Sequence, residues 1–296
     1  MTHRRFPFSR GLLLASVAIV AGCTAGPDYQ KPDKPKEQGY TPESLAPQTT
    51  AVPGAEGGAA QSFVQGRDIP GDWWTLFRSQ ELSALVNEAL RANPDLDAAQ
   101  AALRQANETL YAQQAGLFPT LGANGSGSQA RANGASAGAV SQPFTYGVTS
   151  ASLNIAYSPD IFGGVRRQVE SQAAQVEVQR FALEATYLTL SSNVVVAAVN
   201  LASLRGQIAA TAPIIRLQSD AINLVQTQFN LGAASQVDVL SQQANLRASQ
   251  ALLPPLQKQL AIQRNQLMTL LGRPPTENAG DGIELSSLHL PEELPL

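Results

Sequence analysis

A ladder of residues at alternating four- and three-residue steps runs from Val169 to Phe229 without interruption. It passes through Ala173, Val176, Arg180, Leu183, Tyr187, Leu190, Val194, Ala197, Leu201, Leu204, Ile208, Thr211, Ile215, Gln218, Ile222 and Val225. A seam that returns every 3.5 residues over so many turns marks a long supercoiled helix needing an apolar partner along its length. Ordinary globular helices run about 8–20 residues. Only Arg180 on the seam is charged, and its long aliphatic stem suits a snorkelling or interface position. The chain is therefore expected to build something elongated from slender helices.

Composition agrees with slender helices. Aromatics make up 6% of the 296 residues, too few for a thick core. The net charge of −3 offers no basic face, which excludes nucleic acid as a partner. His3 and His289 lie near the two ends and Cys23 is the single cysteine, so neither a histidine or cysteine metal site nor a disulfide is expected. No paired carboxylates suggest acid–base chemistry, and the sequence points to no catalytic residues, no metal and no cofactor. Gly122, Gly125 and Gly127 precede no helix and make no nucleotide loop.

The first residues read as an export signal over 1–22: Arg4, Arg5 and Arg10, then an apolar run from Gly11 to Val20 too short to cross a membrane. Val20-Ala21-Gly22-Cys23 resembles the bacterial lipoprotein box, which would make Cys23 a lipidated first residue. An ordinary cleavable signal with an incidental cysteine fits the same text. Thr24 after it, in place of Asp, favours the outer membrane by the usual sorting pattern. Residues 23–70 hold much Pro, Gly, Lys and Glu without an apolar period and are expected to form an extended tether. The folded body is expected over 71–296, beginning at the cluster Trp73, Trp74, Leu76 and Phe77.

Within that body the spacing predicts a helix over 80–117, interrupted at Asn93-Pro94 because proline disfavours helix at the residue before it. Residues 119–131 and 145–157 read as two strands. In the second, Ala151, Leu153, Ile155 and Tyr157 fall on one face, and Ser150, Ser152 and Asn154 on the other. Its length approaches that of a membrane-crossing strand, with the apolar set toward lipid and the polar set toward a lumen. A hairpin packed on soluble helices is the alternative. Two strands cannot close a barrel, so several chains would have to contribute. The long helix is expected over 162–231, about 105 Å at the α-helical rise, with Pro213 as a kink. Leu231, Gly232, Ala233, Ala234 and Ser235 form a tight turn, with Ser235 as N-cap of a return helix over 235–271 that Pro254-Pro255 must bend. The two shorter helices each match half of the long one. The tail to Leu296 is expected to be extended.

This layout and its local text resemble the TolC-type outer-membrane factor family, in its lipoprotein (NodT-like) branch. The resemblance is carried by Gly26-Pro27-Asp28-Tyr29, by Trp74, Phe77, Leu82 and Leu85, and by Ala89-Leu90-Arg91-Ala92-Asn93-Pro94-Asp95-Leu96. It continues through Ala115-Gly116-Leu117-Phe118-Pro119, Asp160-Ile161-Phe162-Gly163-Gly164-Val165-Arg166-Arg167, the turn Phe229 to Ser235 with Asp238-Val239-Leu240, and Leu270-Leu271-Gly272-Arg273-Pro274-Pro275.

The resemblance implies a mostly α fold with a two-stranded transmembrane β-hairpin. The long coiled-coil helices would form part of an α-barrel tunnel, and the strands part of a multi-chain β-barrel. It implies a homo-oligomer, a trimer in the family, in which each protomer carries two similar halves. This chain shows one half, with Leu288 to Leu296 resembling the linker to a second, so six copies would supply the same strands. The expected function is passive conduction of substrates across the outer membrane in a tripartite efflux or type I export system. The inner-membrane pump and a periplasmic adaptor would be the partners, with outer-membrane lipid around the strands. Leu231 to Ser235 would be the adaptor-docking tip. Asp238 would ring the tunnel mouth, though a carboxylate in a first helical turn is also placed there by the helix dipole alone. A truncated, non-conducting remnant, or a periplasmic coiled-coil adaptor or structural lipoprotein, are the other readings.

Overall fold

A computed structural model describes residues 26, 29–33, 46–54, 57–132, 143–277, 280 and 282–295. In chain order the elements are β1 (Ser62–Val64), a 3-10 turn (Trp73–Phe77), α1 (Gln80–Ala92), α2 (Pro94–Ala115), β2 (Thr120–Ala132) and β3 (Phe144–Ala156). Then follow α3 (Gly164–Asn230), α4 (Gln236–Ala251), α5 (Leu253–Leu270), a 3-10 turn (Leu285–Ser287) and β4 (Glu293–Pro295). They form two compact units. One contains Ala102–Arg180 and the described part of Met1–Asp33; the other contains the described parts of Lys34–Ala101 and Phe181–Leu296.

The second unit holds the apolar core. On α3 the seam residues Leu190, Val194, Ala197, Leu201 and Leu204 are buried, as the ladder requires. Leu82, Leu85, Val86 and Ala89 of α1, Leu267 and Met268 of α5, and Leu271 close over them. Trp74 is buried with its ring 6.1 Å from that of Tyr187, and Trp73 Nε1 donates to Ser191 Oγ at 3.2 Å. By length and composition α3 could cross a membrane, but its apolar middle has one side buried against these neighbours, as a core helix does.

Local chemistry sets the boundaries. Ser79 caps α1 by accepting from Leu82 N–H, with Glu81 in the first turn and Arg91 in the last, each favourable to the helix dipole. Asn93 is extended before Pro94 and buried. Its Oδ1 accepts from Asp95 N–H at 2.9 Å, while its Nδ2 donates to Leu270 O at 2.9 Å, tying the α1–α2 joint to the end of α5. At that end Gly272 is left-handed (φ 69°), and a Cβ there would stand 2.5 Å from Ala92 O. Arg273 pairs with Glu88 beside it.

Several expectations shift. The single return helix over 235–271 is two helices parted at Leu252, because Pro254 and Pro255 lack the N–H groups that would bond Gln250 and Ala251 carbonyls. α2 stops at Ala115, and Gly116, Leu117 and Phe118 take i→i+3 bonds instead. α3 starts at Gly164, after left-handed Gly163, and runs unbroken through Pro213 to Asn230. Each strand moves by one residue: Pro119 has no N–H for the ladder, which opens at Thr120↔Ala156 and leaves Tyr157 beyond β3.

The largest differences concern the tether and the tail. The end of the 23–70 segment is ordered: β1 pairs in parallel with β4, Phe63 N–H donates to Pro47 O, and Gln61 Nε2 donates to Pro291 O at 2.7 Å. The tail is not simply extended, for Ile283 is buried in the core and Arg205 reaches back to Gly280 O. Both segments carry no period and are ordered by their contacts, the tether with itself and with the tail, the tail also with the helical core. The signal over 1–22 and Cys23 lie outside the described residues.

Candidate functional site

Two places collect the residues that the sequence singled out. The first is the hairpin of β2 and β3, paired antiparallel from Thr120↔Ala156 to Ala132↔Phe144. Directly opposed residues share a face, so Asn124, Ser126, Ser150, Ser152 and Asn154 form one polar stripe. It is linked across the strands: Ser126 and Ser150 hydroxyls are 2.7 Å apart, and Asn124 Nδ2 donates to Asn154 Oδ1 at 3.3 Å. On the other face Leu121 and Ile155 oppose each other, as do Ala123 and Leu153, and Gly125 and Ala151. Leu153 is 77% exposed and Ile155 75%, with Tyr157 also exposed just past the strand. Among the described residues both outer edges of this pair are unpaired.

The hairpin joins its helices through a fixed corner. The Asp160 carboxylate accepts from Arg166 N–H at 2.9 Å, capping α3. That backbone bond, ahead of the opposing cost of desolvation, holds its carboxyl below the usual carboxylate range, with the Val165 and Gly164 N–H groups and the Arg166 charge assisting. Gln113 Nε2 of α2 donates to Gln168 Oε1 of α3 at 2.7 Å. Phe118, Ile161 and Phe162 are exposed around this corner, a group that sequence periodicity missed because they lie in no element.

The second place is the turn between α3 and α4. Ala233 N–H donates to Gln228 O at 2.8 Å and Gly232 N–H to Phe229 O at 2.9 Å, with Gly232 at φ 74°. This is a Schellman stop, which needs a left-handed residue and so favours glycine. Ser235 then starts α4 with a reciprocal capping box. Its Oγ accepts from Asp238 N–H at 3.2 Å, and its own N–H donates to Asp238 Oδ2 at 2.8 Å. The Ser235 hydroxyl, then the Ser235 N–H, hold the Asp238 carboxyl below its usual range. Leu231, Val237 and Leu240 stand exposed about this turn. Val237 was not singled out from the sequence, and Leu240 only as part of the family text; their signal is that they are apolar yet lie off the α4 seam, of which Val239 is the buried member. Arg180, on the α3 seam, bonds Glu177 at 2.6 Å rather than lying alone.

The hairpin with its two unlike faces, the corner and the capped turn lie in the order that the resemblance implies. The sequence profile described as Outer membrane efflux protein matches residues 85–273. The chain belongs to the outer membrane efflux protein family. Nodulation protein T of Rhizobium leguminosarum bv. trifolii is 22% identical over 266 residues, covering 90% of this chain and 52% of that protein. The probable efflux pump outer membrane protein TtgC of Pseudomonas putida is 27% identical over 286 residues, covering 95% of this chain and 55% of that protein. The solved outer-membrane channel OprN superposes with a TM-score of 0.70 at 25% identity, covering 91% of this chain and 56% of that one. The chain thus spans about half the length of the relatives it matches. As a member of this family it is assigned to the bacterial outer membrane; TtgC is named for an efflux pump and OprN for an outer-membrane channel.

Proposed function

We propose that the chain is a subunit of an outer-membrane channel in a tripartite efflux or type I export system. It would conduct passively what an inner-membrane pump and a periplasmic adaptor deliver. One observation carries this reading: an exposed hairpin with a linked polar stripe on one face and Leu121, Leu153 and Ile155 on the other. Such a pair suits a barrel wall between lumen and lipid. An open sheet edge cannot stand in hydrocarbon, so both edges must meet further strands. Six copies of this stretch, or a trimer of chains with two such halves, would supply them. Ser150, Ser152 and Asn154 then face the lumen, and Ala151, Leu153 and Ile155 face lipid, with Tyr157 at the inner interface.

In the same reading Leu231, Gly232, Ala233, Ala234 and Ser235 are the tip that meets the adaptor, with Leu231, Val237 and Leu240 as its apolar contacts. Asp238 is ionised at neutral pH and lies at the tunnel mouth, where repetition by symmetry would make a ring of negative charge. Cys23 is the lipid anchor. The deciding measurement is the mass of the detergent-extracted assembly together with its single-channel conductance. A conducting hexamer, or a conducting trimer of two-half chains, supports the proposal; a silent monomer overturns it. Cys23→Ser is expected to abolish incorporation of labelled fatty acid, and label that persists removes the anchor assignment.

A further inference from the structure

The polar stripe of the hairpin does not continue to its loop end. The β2–β3 register runs without a bulge to Ala132↔Phe144, and every second residue of a strand returns to the same face. The face that carries Asn154, Ser152 and Ser150 therefore continues as Val148, Tyr146 and Phe144. The lipid-side face of the proposed channel continues instead as Thr149, Gly147 and Thr145, opposite Gly127, Gln129 and Arg131. The two faces exchange character near Thr149. Ring contact supports the shared placement of the aromatics, since the centroids of Phe144 and Tyr146 lie 5.9 Å apart at 37°. Across the strand they face only Ala132 and Ala130, which leaves the rings room to stand away from the sheet. An aromatic girdle against lipid would require the face of Leu153 and Ile155, and strand alternation places these rings on the opposite one.

We propose that Phe144 and Tyr146, with Val148, form an apolar collar on the inner wall of the barrel at its outward end. Repeated around the axis, such side chains make a constriction that water leaves readily, opposing hydrated ions and admitting uncharged aromatic or apolar solutes. The inference rests on the channel reading above, from which it takes only the direction of the lumen.

Two measurements on the full chain reconstituted in lipid bilayers test it. With p-benzoylphenylalanine placed singly at Leu153, Ser152 and Tyr146, irradiation is expected to give lipid adducts at 153 and none at 152 or 146. Adducts at both 153 and 146 overturn the collar and leave the membrane hairpin standing. Absence of an adduct at 153 overturns the membrane hairpin, and the collar with it. Separately, the pair Phe144→Ser and Tyr146→Ser is expected to raise single-channel conductance by about twofold or more, with Thr145→Ser unchanged. A conducting protein indifferent to the pair overturns the constriction, and a wild-type chain that never conducts overturns the channel reading itself.

Discussion

Two glycines show how differently one backbone conformation can be used. Gly232 and Gly272 both sit at left-handed φ, 74° and 69°, past the ends of helices. Around Gly232 a Cβ would meet nothing within 4 Å, whereas at Gly272 it would strike Ala92 O at 2.5 Å. Gly232→Ala should therefore cost about 1–2 kcal/mol, the price of the left-handed conformation alone. Gly272→Ala should cost more, because the α1–α5 contact must also open. Chemical denaturation of the two variants checks the order, and equal losses would refute it. Both glycines follow directly on the helix ends expected from the sequence, at 231 and 271, since such a stop is local text; the clash at Ala92 was not legible, since it depends on a partner far away in the chain.

The capping box next to Gly232 adds a pH dependence. Hydrogen bonds from Ser235 favour the ionised Asp238 in the folded chain, so its carboxyl is depressed relative to the unfolded state. Its stabilisation of the α4 start is complete above the unfolded value of about 4 and is lost as pH falls through the lower folded value. Protection of the amides over residues 236–241, taken relative to their intrinsic exchange rate at each pH, should therefore fall at acid pH, and Asp238→Asn should remove that dependence. Ser235→Ala should weaken the same turn by about 1 kcal/mol at neutral pH and shrink the pH dependence as well, because its hydroxyl is the main donor to the Asp238 carboxylate.

At the scale of elements, what could be read was what repeats. The α3 seam was legible because a 3.5-residue period over so many turns has few other causes, and its middle, Leu190 to Leu204, is where burial is deepest. Leu201→Ala should cost about 2–5 kcal/mol in thermal or chemical unfolding, since Leu201 is fully buried among α1, α3 and α5 side chains. The strands were legible to within one residue, the residual shift coming from Pro119. By contrast β1 and β4 have three residues each, which is too short for any alternation to register. The split at Leu252 was legible only as a bend, because proline spacing tells that bonds are lost but not whether the helix resumes in line. For the hairpin, Leu153→Arg places a charge on the proposed lipid face and should cost about 2–4 kcal/mol of insertion free energy near the bilayer midplane. The yield of heat-resistant membrane-inserted protein reports it, and an unaffected yield would contradict the lipid-facing assignment.

For the molecule as a whole, its unfinished surfaces matter most. The hairpin has two unpaired edges among the described residues, and α3 exposes Val178, Leu188, Leu217 and Leu224 off its seam. No period in one sequence reveals how many copies cover such surfaces, so the candidate site was legible as a set of residues and not as an assembly. The β1–β4 pair, on the other hand, is complete within the chain. Removing β4 by deletion of 291–295 should increase amide exchange at Ser62, whose N–H donates to Glu292 O at 2.8 Å, while leaving the β2–β3 hairpin, in the other unit, unchanged.

That pair also orders events in time. Gln61 and Pro291, joined by one hydrogen bond, lie 230 positions apart in the chain. Closing so long a loop carries a large entropy penalty, and contacts of such separation form slowly and late. A chain made from its N-terminus first must hold β1 without β4, bonded only to the nearby stretch at Pro47, until more than 220 further residues have followed. The clasp can form only once residues 291–295 arrive, so until then the segment leading from Pro47 is held by its own short-range bonds alone, such as Thr49 N–H to Gln61 O, and is the more open to chaperones and proteases.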